Sequence, residues 1–411
     1  MHSKLLQLLT NRCELAAEFT VRQVRQEFVL SGGRAVSFRS STPLTTRACF
    51  LRDVVMKTFH CDHCEALLFF ESTQCLSCDH LLAYAPTSGR VVALKRVESE
   101  EGQWHRARAG DDEQHYKLCA NYVGERVCNW ALSADDPNTL CKSCRLTRVI
   151  PNLTVAGHRA AWAKLESAKR RMLYTLQGLR CPVHSKAEDP RGLAYEFLAA
   201  DNSQPKILTG HDNGLIIVNI AEADDATRER ERTRLHEPYR TLLGHFRHEI
   251  GHYYWRCLIE GQPCIEAFRQ TFGDERVDYG AALKHHYESG PPSSWEERYI
   301  SSYAASHPWE DWAESWAHYM HMVDMLETAG DCGLRLEPRR SDEPRLTDSN
   351  SDTDSAAFDE LIGKWFPLTF VLNNLNRSMG LPDGYPFVLT DPVIAKLRFI
   401  HDTVARVART E

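Results

Sequence analysis

The chain has 411 residues, enough for two or three domains and a sizeable core. Its 43% apolar and 26% charged content are those of a soluble globular protein, and a net charge of -7 argues against a basic field that would draw nucleic acid. No run of eighteen apolar residues is present, so no membrane-spanning helix is predicted.

From the amino terminus, Leu5 to Leu30 has a helical pattern, followed by loop at Ser31-Gly-Gly-Arg34 and Arg39-Ser-Ser-Thr-Pro43. The apolar stretch ahead of Asn11 and Arg12 is too short for a signal peptide, which predicts a cytoplasmic protein. Residues 1–55 are set apart as an extension, and Met56, just before the first cysteine pair, suits an internal translation start.

Residues 56–150 form a cysteine-rich region. Cys61-Asp-His-Cys64 and Cys75-Leu-Ser-Cys78 are two knuckles separated by a short predicted strand, Leu67 to Phe70. Four thiolates at this spacing close a tetrahedral structural zinc site, whereas a redox C-x-x-C comes singly beside a βαβ pattern. His60, His63 and His80 lie near enough to replace a thiolate. A second set, Cys119, Cys128, Cys141 and Cys144, has one knuckle and one widely spaced pair. It predicts a second structural zinc, with His115 as a substitute ligand; the bland alternative is one knuckle plus ordinary buried cysteines. Trp104 and the stretch around Gly110-Asp-Asp-Glu113 are predicted as solvated connection. Clustered thiolates suit a reducing compartment.

Thr154 to Leu179 is an amphipathic helix carrying Arg159, Lys164, Lys169, Arg170 and Arg171, taken as a solvated face rather than a site for an anionic partner. Thr209 to Ala221 is a turn followed by an apolar β-branched strand, expected to border a cleft.

Leu243, Phe246, Ile250, Tyr253 and Cys257 then recur at helical steps, and within them lies His248-Glu249-Ile-Gly-His252. Residues i and i+4 share a helix face, so both imidazoles can grip one zinc while Glu249 stands beside the water it activates. With 19 histidines the motif can arise by accident. Gly251 weighs against accident, because it costs about 1 kcal/mol in a helix unless backbone or ligand must come close.

Helical spacing returns from Trp309 to His321, where Glu310, Glu314 and His318 share a face. The third metal ligand is assigned to Glu314, with Glu310 and Asp311 as runners-up. His318 would orient a ligand or steady the oxyanion, and Tyr303, His307 and Tyr319 are further candidates to polarise the tetrahedral intermediate. Residues 335–356 are a predicted flexible insertion. Phe358 to Met379 and Pro392 to Val407 resume helical character, with Trp365, Phe366, Leu368, Phe370, Leu372 and Leu375 expected to pack on the catalytic helices.

Taken together, Met56-Lys-Thr-Phe-His-Cys-Asp-His-Cys64, Cys128-Asn-Trp130, Cys141-Lys-Ser-Cys-Arg-Leu146, Gly244-His-Phe-Arg-His-Glu-Ile-Gly-His-Tyr-Tyr-Trp255, Glu310-Asp-Trp-Ala-Glu-Ser-Trp-Ala-His-Tyr319 and Asn376-Arg-Ser-Met-Gly380 resemble the bacterial zinc-binding metallopeptidases that carry an amino-terminal zinc ribbon. The resemblance runs from about Met56 to the end, outside the polar insertion. It implies an α+β protein: zinc-ribbon modules, then a mainly helical zincin-like domain with a small β-sheet over residues 151–334, completed by residues 357–411. It also implies a gluzincin-like hydrolase with His248 and His252 as zinc ligands, Glu249 as general base and a downstream acidic ligand, transferred to Glu314. The expected cofactors are one catalytic zinc and one or two structural zincs; the expected partners are a peptide or protein substrate and a protein docking on the ribbon, with neither nucleic acid nor membrane. Two other classes stay open: a ribbon-based interaction protein with an idle peptidase-like domain, and a zinc hydrolase of non-peptide amides.

Overall fold

The computed structural model describes residues 58–98, 100–108, 114–200, 207, 209–235, 241–347 and 358–409, all within the unit Arg52–Glu411. The expectations for residues 1–55, for a start at Met56 and for the loop at 110–113 lie outside the described residues.

Strands β1 (Phe59–His60) and β2 (Leu67–Leu68) pair around the first knuckle. Glu65 and Asp79, each directly after the second cysteine of a knuckle, adopt left-handed backbone with φ 62° and 59°. Their N–H groups reach back to the carbonyls of Cys61 and Cys75 at 2.8 and 2.9 Å, which folds each knuckle into a tight turn. Next come β3 (Leu81–Ala85), β4 (Arg90–Arg96), β5 (Gln103–Arg106), β6 (Tyr116–Leu118) and β7 (Ala131–Ser133), an antiparallel sheet in chain order. Trp104 is thus a half-buried strand residue under the Arg96 guanidinium, not part of a solvated connection. The short helices α1 (Ala120–Val123) and α2 (Lys142–Arg145) carry the second cysteine set between them.

A second sheet has the order β10-β11-β9-β8, from β8 (Thr147–Val149), β9 (Ala194–Leu198), β10 (Gly210–Asp212) and β11 (Leu215–Asn219). The apolar run predicted as the cleft strand is β11, which lies inside the sheet; the edge is β10, returned by a two-residue turn with Asn213 and Gly214 at φ 48° and 82°. Asn-Gly fits that turn because both central residues need positive φ. Between the sheets runs α3 (His158–Gly178), and its basic face corrects the expectation of solvation in part. Lys169 and Arg170 are buried: the Lys169 ammonium lies 2.9 Å from Glu166 and over the rings of Tyr195 and Phe197. A buried cation needs such a partner to offset its lost hydration.

The remaining helices are α4 (Asp225–Leu235), α5 (Leu242–Leu258), α6 (Ile265–Phe272), α7 (Tyr279–Ser289), α8 (Pro308–Asp331), α9 (Phe358–Ser378) and α10 (Asp391–Ala408). Helix α5 starts at Thr241, whose hydroxyl accepts from the Gly244 N–H at 2.9 Å, and it packs face to face with α8. Gly251 permits that approach: a Cβ there would sit 3.0 Å from Ala313 Cα and 3.2 Å from Trp316 Cβ. The Trp312 indole N–H donates to the Gly251 carbonyl at 2.9 Å. Arg247, one turn before Gly251 on the same side of α5, makes a buried network with Asp324, His321 and Thr175 that ties α5, α8 and α3 together. Of the insertion expected over residues 335–356, residues 335–347 carry a Leu336–Leu346 bridge with Leu346 buried, and residues 348–356 lie outside the described residues. A further expectation is corrected on α9, where Trp365 and Leu368 pack inward while Phe366, Phe370 and Leu375 are exposed.

Candidate active site

The packing of α5 on α8 brings three donor atoms together. His248 Nε2 and His252 Nε2 are 3.2 Å apart, and Glu310 Oε2 lies 3.0 Å from the first and 3.5 Å from the second. Two imidazole nitrogens and a carboxylate oxygen are a zinc donor set with one position left open. Three observations test the fit. Glu310 Oε2 is buried without a hydrogen-bond partner among the described residues. Burial opposes protonation of His248, yet Glu310 and Glu314 outweigh it and hold its pKa well above the ordinary imidazole range, so the pocket favours positive charge. The His248 Nδ1–H donates to Glu314 Oε1 at 2.7 Å, which would leave Nε2 to give its lone pair to a metal in place of a proton. The residues present fit a zinc ion.

This geometry corrects the assignment of the third ligand. Glu310 meets both histidines, one turn ahead of Glu314. Glu314 stands behind His248 and is itself fixed by the Ser301 hydroxyl, which donates to Oε2 at 2.7 Å. The hydroxyl of Tyr279, at the start of α7, donates to Glu310 Oε1 at 2.6 Å, while Oε2 faces the histidines. Asp311 points away, into a 2.6 Å ion pair with Lys396 of α10.

The four candidates for oxyanion support fare differently. Tyr303 lies against the site, its ring 5.9 Å from that of His248. His307 caps α8: its Nδ1 accepts from the Trp309 N–H at 3.1 Å and its Nε2–H donates to the Val277 carbonyl at 3.1 Å, so both ring nitrogens are engaged in structure. His318 has Nδ1 3.0 Å from the Tyr385 hydroxyl and its ring edge-on to Phe387, and burial pushes its pKa down to about 4. That is a packing position joining α8 to the segment after α9. Tyr319 pairs with His401 of α10 at 3.1 Å.

Around Glu249, the base expected from the motif, and His252 stand His245, Glu222, Trp309 and His211, to which the sequence assigns no role at the site. Glu249 is buried, with Oε1 3.1 Å from His245 Nε2 and Oε2 unpartnered among the described residues. His245 also reaches Glu222 at 3.4 Å. Burial opposes its charge, but the two carboxylates raise its pKa to about 9, and an imidazolium there in turn holds Glu249 below the usual carboxylate range despite burial. Trp309 covers His252 at 4.2 Å between ring centroids. His211, on the edge strand β10, lies nearly parallel to His252 at 6.0 Å. The one local hint was the i, i+4 spacing of His245 and Glu249, which puts them on one helix face.

Both cysteine sets converge. In the first, Cys61 and Cys78 sulfurs are 3.7 Å apart and Cys64 and Cys75 sulfurs 3.6 Å; His80 lies 3.4 Å from the Cys78 sulfur, beside the four thiols rather than in place of one. In the second, Cys119, Cys128, Cys141 and Cys144 place their sulfurs within 4.8 Å of one another, all buried.

A zinc-ribbon domain model matches residues 58–155, and a family model described as "Putative zinc-binding metallo-peptidase" matches residues 158–403. Uncharacterized proteins of Mycobacterium bovis and Mycobacterium tuberculosis are each 42% identical over 355 residues, covering 86% of this chain and 96% of the relative. No solved structure matches the chain significantly. The metallo-peptidase model covers more than half of the chain, directly after the zinc-ribbon match, and the chain belongs to the zinc-binding metallo-peptidase family.

Proposed function

We propose that the protein is a zinc-dependent peptidase in which His248, His252 and Glu310 hold the catalytic ion and Glu249 is the general base. The observation that carries this reading is the convergence of those three donors beside a buried carboxylate with one oxygen left over. Zinc bound there would supply a Lewis acid and a water acidified to a pKa of about 7. Glu249 Oε2 then takes the proton of the attacking water and delivers it to the leaving amine, while His245 keeps Oε1 in place and the carboxylate ionised. Glu314 holds the His248 ring and Tyr279 holds the Glu310 carboxylate, so the donors need no rearrangement. Tyr303, beside His248, would meet a peptide bound at the ion.

With two four-cysteine sets, the reading gives three zincs per chain, one catalytic and two structural. It places the protein in the cytoplasm, where eight clustered thiols stay reduced; no helix of the described residues is long and apolar enough to cross a membrane. Glu249→Gln tests the base: the variant should retain all its zinc and lose about 100- to 10,000-fold in cleavage of a peptide library. Unchanged cleavage excludes Glu249. A second reading, an interaction protein with an idle peptidase-like domain, draws on the exposed Leu67, Phe69 and Leu76 of the first ribbon. It requires that fully zinc-loaded wild type cleave nothing in the same library.

A further inference from the structure

We propose that His211 donates a hydrogen bond from Nδ1 to the scissile carbonyl oxygen of a bound peptide as that oxygen gains negative charge. The inference rests on the peptidase reading above and names a group outside the two metal helices.

His211 sits on β10, the edge of its sheet, opposite Ile216 of β11. Cross-strand partners share a face, and Ile216 is fully buried, so His211 points inward, the side on which β10 meets α5. Its ring lies 6.0 Å from the His252 ring and 6.1 Å from that of Trp309, which itself covers His252. The hairpin turn fixes its tautomer. The Gly214 N–H donates to His211 Nε2 at 2.9 Å, and only an unprotonated nitrogen can accept, so the ring hydrogen is on Nδ1. That Nδ1 is buried and has no acceptor among the described residues. A neutral imidazole with its N–H fixed beside a metal ligand, and with nothing in the protein to donate to, is a preorganised donor for an oxygen that a substrate brings. The Asn213-Gly214 turn, which required positive φ at both positions, is what presents it. The outer edge of β10 pairs with no other strand among the described residues, where an extended peptide could add as a further strand next to His211.

Two substitutions separate the donor from the turn. The amide of Asn reaches the position of Nδ1, and the amide of Gln reaches that of Nε2. In zinc-loaded protein, His211→Gln keeps the bond to Gly214 and loses the donor; kcat should fall about 100- to 1,000-fold with KM little changed. His211→Asn keeps a donor at Nδ1 and should stay within about tenfold of wild type in kcat. Both should hold wild-type zinc. Equal kcat in wild type and His211→Gln overturns the proposal, as does a loss in His211→Asn as deep as in His211→Gln, which would mark a structural role. Two measurements need no turnover. Nitrogen NMR of the zinc-loaded protein should show His211 protonated at Nδ1, and a proton at Nε2 overturns the assignment. Calorimetry with a phosphinic dipeptide, whose anionic oxygens stand in for the oxyanion, should show weaker binding to His211→Gln than to His211→Asn. If wild type cleaves no peptide, the peptidase reading fails by itself, and the phosphinic dipeptide still decides His211: equal affinity for both variants, or no binding to wild type, overturns the inference.

Discussion

The cysteine sets and the histidine site gather their donors in opposite ways. Each cysteine set brings four sulfurs from knuckle turns or from short helices and the loops beside them, enough to close a tetrahedron and exclude any further ligand. The histidine site brings three donors from two long helices and leaves a position open. Closure serves folding, because the ribbon strands are two to seven residues long and the turns between them have little core of their own. Openness serves chemistry, and it is affordable because α5 and α8 are already held by buried aromatic packing without any ion.

The largest expected effect tests that division. If each of the three donor groups holds a zinc, Cys141→Ser should lower the metal content by one equivalent and forfeit coupled binding and folding energy on the order of 10 kcal/mol, seen as loss of the ribbon's cooperative unfolding in urea. His252→Ala should lose one equivalent as well, yet leave the urea midpoint of the ribbon where it was. If both variants unfold alike, the distinction between closed and open sites is broken.

A sharper comparison lies within the open site. Glu310→Gln should empty the histidine site of zinc and abolish cleavage, whereas Glu314→Gln, which only weakens the hold on His248, should cost about 10- to 100-fold in zinc affinity. Competition with a chelator reads both. The reverse order would restore Glu314 as the ligand.

What could be read from the sequence follows the same division. Donors fixed by local spacing were legible: the knuckles by C-x-x-C, His248 and His252 by the i, i+4 geometry of one helix, and Gly251 as a close approach, which proved to be that of Ala313 and Trp316. Donors chosen by distant partners were not. Glu310 and Glu314 occupy one face, and no spacing rule separates them; only in the fold does Tyr279 from α7 meet the first and Ser301 from the segment before α8 the second. His307 was a candidate by its nearness in sequence to the Glu310 helix but is engaged as that helix's cap, and the basic stripe of α3 looked solvated because Glu166 supplies a counter-charge that is visible only once burial is known. The fold class was what the family resemblance implied, whereas the edge position of β10 needed the pairing order.

His245 gives the next effect in size, and its sign is fixed by its partners. Its pKa in the folded chain is about 9, above the ordinary imidazole value near 6.5, because Glu222 and Glu249 outweigh burial. A raised folded-state pKa means stabilisation that is fully present below about pH 6.5 and lost as pH rises through about 9. Urea unfolding of metal-free wild type and His245→Gln should therefore differ by on the order of 3 kcal/mol near pH 6, with the gap closing by about pH 10. A gap that does not vary with pH would show that His245 acts by packing alone.

The smallest expected effect probes the joint between the two metal-bearing helices. In Gly251→Ala the added Cβ meets Ala313 Cα at 3.0 Å and the Ala313 carbonyl at 3.3 Å; both are backbone and cannot swing aside, so α5 and α8 must separate by a few tenths of an ångström. Overpacking of this kind costs about 1–3 kcal/mol, and the helix preference of Ala over Gly returns about 1 kcal/mol, leaving a net loss of about 1 kcal/mol. The same separation moves Glu310 away from His248 and His252, which sit at 3.0 and 3.5 Å from it across that joint. Zinc affinity at the histidine site should therefore fall by more than the small stability loss implies, while both four-cysteine sets, which do not span the joint, keep theirs. Equal weakening at all three sites would show that the helix pair does not set the donor geometry.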